Sequence, residues 1–232
     1  VSTVDTEKQR KFFDVLMHQY PEHLLEQPLY HTLLEQKEIE ARVKTYKKGT
    51  IVDFGAGSGR ISIFLLQHGY SITAVDISSE SLKVLRRNAK KLDLSGLITT
   101  DRVPEKEVDA IVGADVLHHV DMDEFLPLFH ARLSKSGKIV FSEPGAFNIA
   151  WYIFLFVFHN WEVEKGMMNC TYFNLMRLLK KYNYRNITLT GVGLLPTPLF
   201  NWSKFLTRLN HKAGNLPVLK LFAYRYIVEA SR

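Results

Sequence analysis

Apolar positions along the chain follow two rhythms. In KQRKFFDVLMHQY (8–20), Phe12, Phe13, Leu16 and Met17 share one side at helical spacing, and Pro21 interrupts the pattern. A second helical stretch runs through about 29–46, with Leu33, Leu34 and Ile39 as its apolar members. From residue 50 onward, short apolar runs alternate with amphipathic ones. TIVDF (50–54), SITAVDI (71–77), GLITTD (96–101), VDAIVGA (108–114), GKIVFSE (137–143) and NITLTGV (186–192) read as strands. Helices are expected over 59–69, where Gly69 stops the pattern, from an N-cap at Ser78 or Ser79, around 122–133, and over 171–184. Repeated βα alternation predicts a mostly parallel sheet covered on both faces. In such sheets ligands bind outside the carboxyl ends of the strands.

Two stretches break the rhythm. Residues 145–169 precede the expected helix at 171, and about 194–221 separate the strand at 186–192 from the C-terminal segment. Both are rich in Trp, Phe and Leu. The first contains IAWYIFLFVF (149–158), ten apolar or aromatic side chains in a row. A spanning helix needs about 20 such residues, so this run does not read as a membrane segment.

Hydrophobic residues make up 46% of the 232 and charged residues 23%, ordinary for a globular chain able to bury a core without metal or disulfide staples. A single cysteine, Cys170, cannot pair internally. With a polar opening, VSTVDTEKQRKFFD, and no signal pattern, the expected setting is cytoplasmic. The net charge of +6 permits an anionic partner. Its basic groups (Lys47/Lys48, Lys83 to Lys91, Lys180/Lys181) fall on different elements and read as solvated helix faces.

The first strand ends in VDFGAGSGR (52–60), with Gly55, Gly57 and Gly59 before a helix. Glycines there let the backbone approach a ligand and adopt φ > 0. A dinucleotide fingerprint needs its third glycine at position 60, which is Arg60. Asp76 closes the next strand, 17 residues after Gly59. A carboxylate there can accept both ribose hydroxyls of an adenosine, and Ile77 can lie against the adenine.

At these residues the sequence resembles the class I S-adenosylmethionine-dependent methyltransferases, in particular the type 11 and ubiquinone–menaquinone groups. VDFGAGSG stands as motif I, VDIS as motif II and VDAIVGADVLHHV as motif IV, and LSKSGKIVFSEP matches the strand after it. The resemblance covers about 45–145. It implies a Rossmann-like seven-stranded sheet with an antiparallel last strand, for which FAYRYIVEASR (222–232) is the candidate. It also implies S-adenosylmethionine as cofactor. Asp53, Gly55 and Ala56 would line its amino-acid part, with Gly57 and Gly59 close behind. Asp76 would hold the ribose, Asp101 with Arg102 would flank the adenine, and Ala114 and Asp115 would lie beside the methionine. An aromatic N-terminal segment, with Tyr20 as its best contact, would close over the cofactor.

Methyl transfer from a sulfonium needs alignment and exclusion of water, and a base only where the acceptor must lose a proton. Candidates are His118, His119 and Glu143, with His119 favoured as base. Adjacent histidines diverge by about 100° in a helix, so one of the two is expected to face the site. Asp115, His118 and His119 resemble the E-x-x-E-H metal site of quinone-type O-methyltransferases but lack its second carboxylate, and no metal is assigned. A bacterial and archaeal subgroup shares Glu143-Pro144, the aromatic run, WEVEKG (161–166), Thr171 and LLPTP (194–198).

The expected arrangement is a single domain. Residues 1–47 form a helical segment over the cofactor, 48–144 the cofactor-binding core, 145–170 an apolar substrate cap, and 171–232 the rest of the sheet with the second insertion. An aromatic cap with Asn148, Trp151, Tyr152 and Phe156 as its pocket suits a small hydrophobic or lipid-like acceptor: a quinone, phenol, isoprenoid or lipid-linked intermediate. In the second insertion, Trp202, Phe205 and Leu209 with Lys204, Arg208 and Lys212 make a basic amphipathic helix. Such a helix either covers the core edge or makes peripheral contact with a membrane. Nucleic acid is disfavoured as partner. The rival functions are an RNA or protein methyltransferase, and a non-enzymatic cofactor-binding scaffold or partner subunit.

Overall fold

The computed structural model describes residues 10, 11, 14, 23–158 and 164–232, with backbone alone at 154–158. Its centre is a seven-stranded sheet in the order β3-β2-β1-β4-β5-β7-β6. The strands are β1 (Ile51–Phe54), β2 (Ile72–Val75), β3 (Leu97–Thr100), β4 (Val108–Ala114), β5 (Leu133–Pro144), β6 (Arg185–Val192) and β7 (Arg225–Ser231). β1 through β5 are mutually parallel, and β7 runs antiparallel between β5 and β6. The antiparallel last strand expected from FAYRYIVEASR is therefore present. Strand order reverses between β1 and β4, which opens a crevice at their carboxyl ends.

The helices are α1 (His23–Glu26), α2 (Tyr30–Val43), α3 (Arg60–Gln67), α4 (Ser79–Lys91), α5 (Met122–Arg132), α6 (Ile149–Phe158), α7 (Tyr172–Lys181) and α8 (Lys204–Ala213). Every residue of β1 is buried, so alternate side chains feed two cores. Val52 and Phe54 join Ile111, Phe141, Leu126 and Phe129 on the side of α5 and α7. Ile51 joins Val112, Val140, Ile39, Phe64 and Leu65 on the side of α2 and α3. Ser78, not Ser79, caps α4 by accepting from Ser81 N, and Thr171 caps α7 by accepting from Asn174 N.

The two insertions are tied together at their roots. Asn148 Nδ2 donates to the carbonyls of Leu194 and Phe222, both at 2.8 Å, so the start of α6 clasps both ends of the second insertion. That insertion also meets the N-terminal helix through His31–Asn201 at 2.8 Å and His211–Glu38 at 3.3 Å. Among the described residues no helix is long and apolar enough to cross a membrane.

The orientation of α8 departs from a core-covering helix. Its fully buried residues are Thr207 and Asn210, while Trp202 is 79% and Phe205 74% exposed. The inward face is polar because it answers loop backbone. Asn210 Oδ1 accepts from Leu194 N and Leu195 N, and Thr207 Oγ1 donates to the carbonyls of Phe200 and Ser203.

Candidate functional site

The loop between β1 and α3 turns on Gly55 (φ 70°), Gly57 (φ 52°) and Gly59 (φ 104°). A Cβ on Gly55 would lie 2.3 Å from Val116 Cγ2, so glycine is required there by both conformation and space. Gly55 N and Ala56 N donate to Val75 O, which fastens the loop to the end of β2. Asp76 then bridges the two strand ends, its Oδ2 accepting from Gly57 N and its Oδ1 from Ser78 N, each at 2.8 Å. Burial raises its pKa against those two hydrogen bonds. Ile77 beside it is exposed, an apolar shelf at the mouth of the crevice. Asp14 accepts a hydrogen bond from Ser78, which brings the N-terminal segment to the same rim.

Asp53 sits behind the loop rather than in it. Its carboxylate is buried and accepts from Ser62 Oγ at 2.6 Å, and burial pushes its pKa up to about 7. Ala114 ends β4, and Asp115 follows it in the left-handed region (φ 56°). Asp115 Oδ2 pairs with Arg60 at 2.8 Å and Oδ1 with Arg225. Arg225 also reaches Glu35 at 3.2 Å and Ser142 Oγ at 3.2 Å. Burial opposes the charge on Asp115, yet Arg225 and then Arg60 hold its pKa well below the carboxylate range. Arg60, at the position that removes the dinucleotide fingerprint, thus belongs to a network joining α2, α3, β4 and β7.

Leu117–His119 form one 3-10 turn after β4. Glu143, wholly buried at the end of β5, supports that turn from below. Its Oε1 accepts from Val116 N (3.0 Å) and Leu117 N (2.8 Å), and its Oε2 meets His118 Nδ1 at 2.7 Å. Glu164 meets the other face of the ring, 3.3 Å from His118 Nε2 and 3.8 Å from His119 Nε2. Burial works against a charge on His118, but the hydrogen bonds and charges of Glu143 and Glu164 lift its pKa to about 10. Glu164 is in turn held below its ordinary value, burial being outweighed by His118 and His119. The segment bearing Glu164 fits tightly, since a Cβ on Gly166 would lie 1.8 Å from His118 O.

Residues 52–141 match the family model described as a methyltransferase domain. This segment is a methyltransferase domain. A SAM-dependent methyltransferase structure from Archaeoglobus fulgidus superposes with a TM-score of 0.61 at 16% identity, covering 87% of this chain and 94% of that one. Sheet order and superposition show that the chain has the fold of that structure. An uncharacterized methyltransferase of Mycobacterium bovis is 32% identical over 91 residues, 38% of this chain and 37% of the relative. A ubiquinone biosynthesis O-methyltransferase of Pelagibacter ubique is 23% identical over 129 residues, 54% of each. The match thus spans from little more than a third to about half of these curated relatives.

The crevice gathers Gly55, Ala56, Gly57, Gly59, Asp76, Ile77, Ala114 and Asp115 at the ends of β1, β2 and β4. Asp101 and Arg102 are exposed just beyond β3. Tyr20, like Phe12 and Phe13, lies outside the described residues, and so does the side chain of Phe156. His118 and His119 do not diverge as adjacent residues of an α-helix would. In a 3-10 turn the two rings pack with centroids 3.9 Å apart, and both approach Glu164. Nor does Asp115 join a cluster with them, because two arginines occupy it. The ligand-type atoms that do lie within 4.8 Å of one another are those of His118, His119 and Glu164, and of His118, Glu143 and Cys170.

Trp151 and Tyr152, expected to line an acceptor pocket, have structural partners. Trp151 stacks on Tyr224 at 4.5 Å and 4° and donates Nε1–H to Tyr224 O at 2.5 Å. Arg225 lies 5.7 Å from the Trp151 ring, and Tyr152 OH donates to Ala146 O at 2.8 Å. Sequence reasoning missed Glu35, Glu164 and Arg225. Only Glu164 carried a local signal, inside WEVEKG.

Proposed function

We propose that this S-adenosylmethionine-dependent methyltransferase transfers its methyl group to a small, largely apolar acceptor. One observation carries the reading: the first insertion leaves the sheet at the carboxyl end of β5 and returns to lay Glu164 and Gly166 against the turn at 117–119. The apolar helix α6 therefore stands beside the place where the methyl group would be presented. A quinone-pathway O-methyltransferase among the curated relatives agrees with an acceptor of this kind.

In this reading Asp76 holds the ribose, Ile77 backs the adenine, and the backbone at Gly55–Gly59 lies along the amino-acid part. Ala114 and Asp115 border the methionine, and Asp101 with Arg102 the far edge of the adenine. Asp53 and Glu143 act from behind, by holding the loop and the turn. A cationic His118 cannot take a proton, so where the acceptor is a hydroxyl, His119 is the base. Asn148, Trp151 and Tyr152 form the root and wall of the acceptor side.

The test is methyl transfer from radiolabelled S-adenosylmethionine to lipid, RNA and protein fractions of a cell extract. Label in the organic phase is expected. Label confined to RNA or protein would replace this reading with one of the macromolecular alternatives, and no label in any fraction would favour a scaffold.

A further inference from the structure

Residues 165–228 contain ten Lys and Arg and no Asp or Glu. With thirty basic and twenty-four acidic residues in all, the rest of the chain has a net charge of −4. The basic residues are spread along the chain, but the net positive charge is not. It belongs to the C-terminal third, and such asymmetry points to an anionic surface as partner.

The same region carries the exposed apolar side chains. More than half of the large hydrophobic residues left exposed, among the described residues, fall between 195 and 222. On α8, Phe205 and Leu209 lie about 40° apart, Lys212 lies about 20° and Arg208 about 60° to the other side of Phe205. Thr207 and Asn210 occupy the opposite face and are satisfied by loop backbone. The helix is thus pinned with its apolar and basic side outward. Exposed apolar side chains that form a contiguous patch mark interaction sites.

We propose that residues 195–222 dock the protein on an anionic phospholipid bilayer, with Trp202, Phe205 and Leu209 at the headgroup–acyl boundary and Lys204, Arg208 and Lys212 against lipid phosphates. The pairing of bulky apolar groups with a basic flank is what an in-plane interfacial helix needs. A two-fold contact with a second copy through this same face would set positive charge against positive charge. RNA would stack on Trp202 and Phe205 but has no use for exposed Leu199, Leu209 and Val218. Because Asn148 clasps both ends of this insertion, the bilayer would lie near α6, where Ile149 and Ile153 are also exposed. Delivery of a lipid-like acceptor by this route rests on the function proposed above; the docking itself does not.

The test is co-sedimentation of the full chain with vesicles of phosphatidylcholine, with and without roughly 30% phosphatidylglycerol. Binding at least about tenfold tighter to the anionic vesicles is expected, weakening as salt rises. Phe205→Ser/Leu209→Ser should lower partitioning by about tenfold or more, and Lys204→Gln or Lys212→Gln by about fivefold each. Both apolar positions are already solvent-facing, and circular dichroism verifies that the variant is folded. In the unmodified chain, brominated acyl chains should quench a tryptophan signal that Trp202→Phe removes. No sedimentation with anionic vesicles would overturn the proposal. So would wild-type binding by the folded double variant, a dimer that the double variant abolishes, or retention on RNA with none on vesicles.

Discussion

The charge on His118 is the feature of this structure most open to direct measurement. Its pKa is lifted from 6.5 to about 10 by two carboxylates that it meets on opposite ring nitrogens. Below pH 6.5 both folded and unfolded chains hold this proton, and the stabilisation is complete. As pH rises toward 10 the folded chain keeps a proton that the unfolded chain has lost, so unfolding becomes easier by about 1.4 kcal/mol per pH unit. From pH 7 to 9 the ion triad should lose about 3 kcal/mol of its contribution. Asp53 titrates near the lower end of this window and the unfolded Cys170 near its upper end. The measured quantity is therefore the difference between wild type and His118→Gln, from urea unfolding at several pH values. The wild-type curve should fall more steeply, by about 1.4 kcal/mol per unit. A second measurement needs no variant: the His118 ring proton, followed by NMR, should keep its charged-state shift through pH 8. A midpoint between 6 and 7, or parallel stability curves for the two proteins, would refute the triad.

Asp76→Ala removes a bridge between two loops and the carboxylate proposed to hold the ribose. Calorimetry should show S-adenosylmethionine binding weaker by about 1.5–3 kcal/mol, and an unchanged affinity would remove Asp76 from the site. Gly55→Ala must adopt φ near 70° and place a methyl 2.3 Å from Val116. The left-handed backbone alone costs about 1–2 kcal/mol, so thermal unfolding should occur at a lower temperature and cofactor affinity should fall; wild-type values for both would contradict the geometry. Arg225→Met strands Asp115 and Glu35 without their shared partner, and a loss of about 3–5 kcal/mol in urea unfolding is expected. A change below about 1 kcal/mol would mean that Arg60 alone satisfies the network.

What the sequence made legible was what short stretches decide for themselves. The short apolar strands, the glycines after Phe54 and the carboxylate after Val75 each lie within a few residues of their partners, and they stand at the expected strand ends. The ion network does not work this way. Glu35, Asp115 and Arg225 come from three distant parts of the chain, and only the sheet's closing antiparallel strand brings Arg225 to the end of β4. Glu143 is a base candidate in the sequence because it stands at a strand end. Its partners, two backbone amides and His118, exist only once β4 and β5 pair in register, and they make it a buried support.

The second insertion shows why pattern alone stops short of function. Periodicity divides α8 into an apolar and basic side and a small polar side, but it does not say which side turns inward. Habit assigns Phe205 and Leu209 to the core. The structure reverses that assignment because Asn210 and Thr207 are needed by backbone groups of residues 194–203, which have no strand to pair with. Asn210 and Thr207 supply partners to that loop backbone, which turns the polar side of the helix inward. The apolar side is then left to whatever lies outside. With ten positive charges and no negative one across residues 165–228, that outside is selected for an anionic surface.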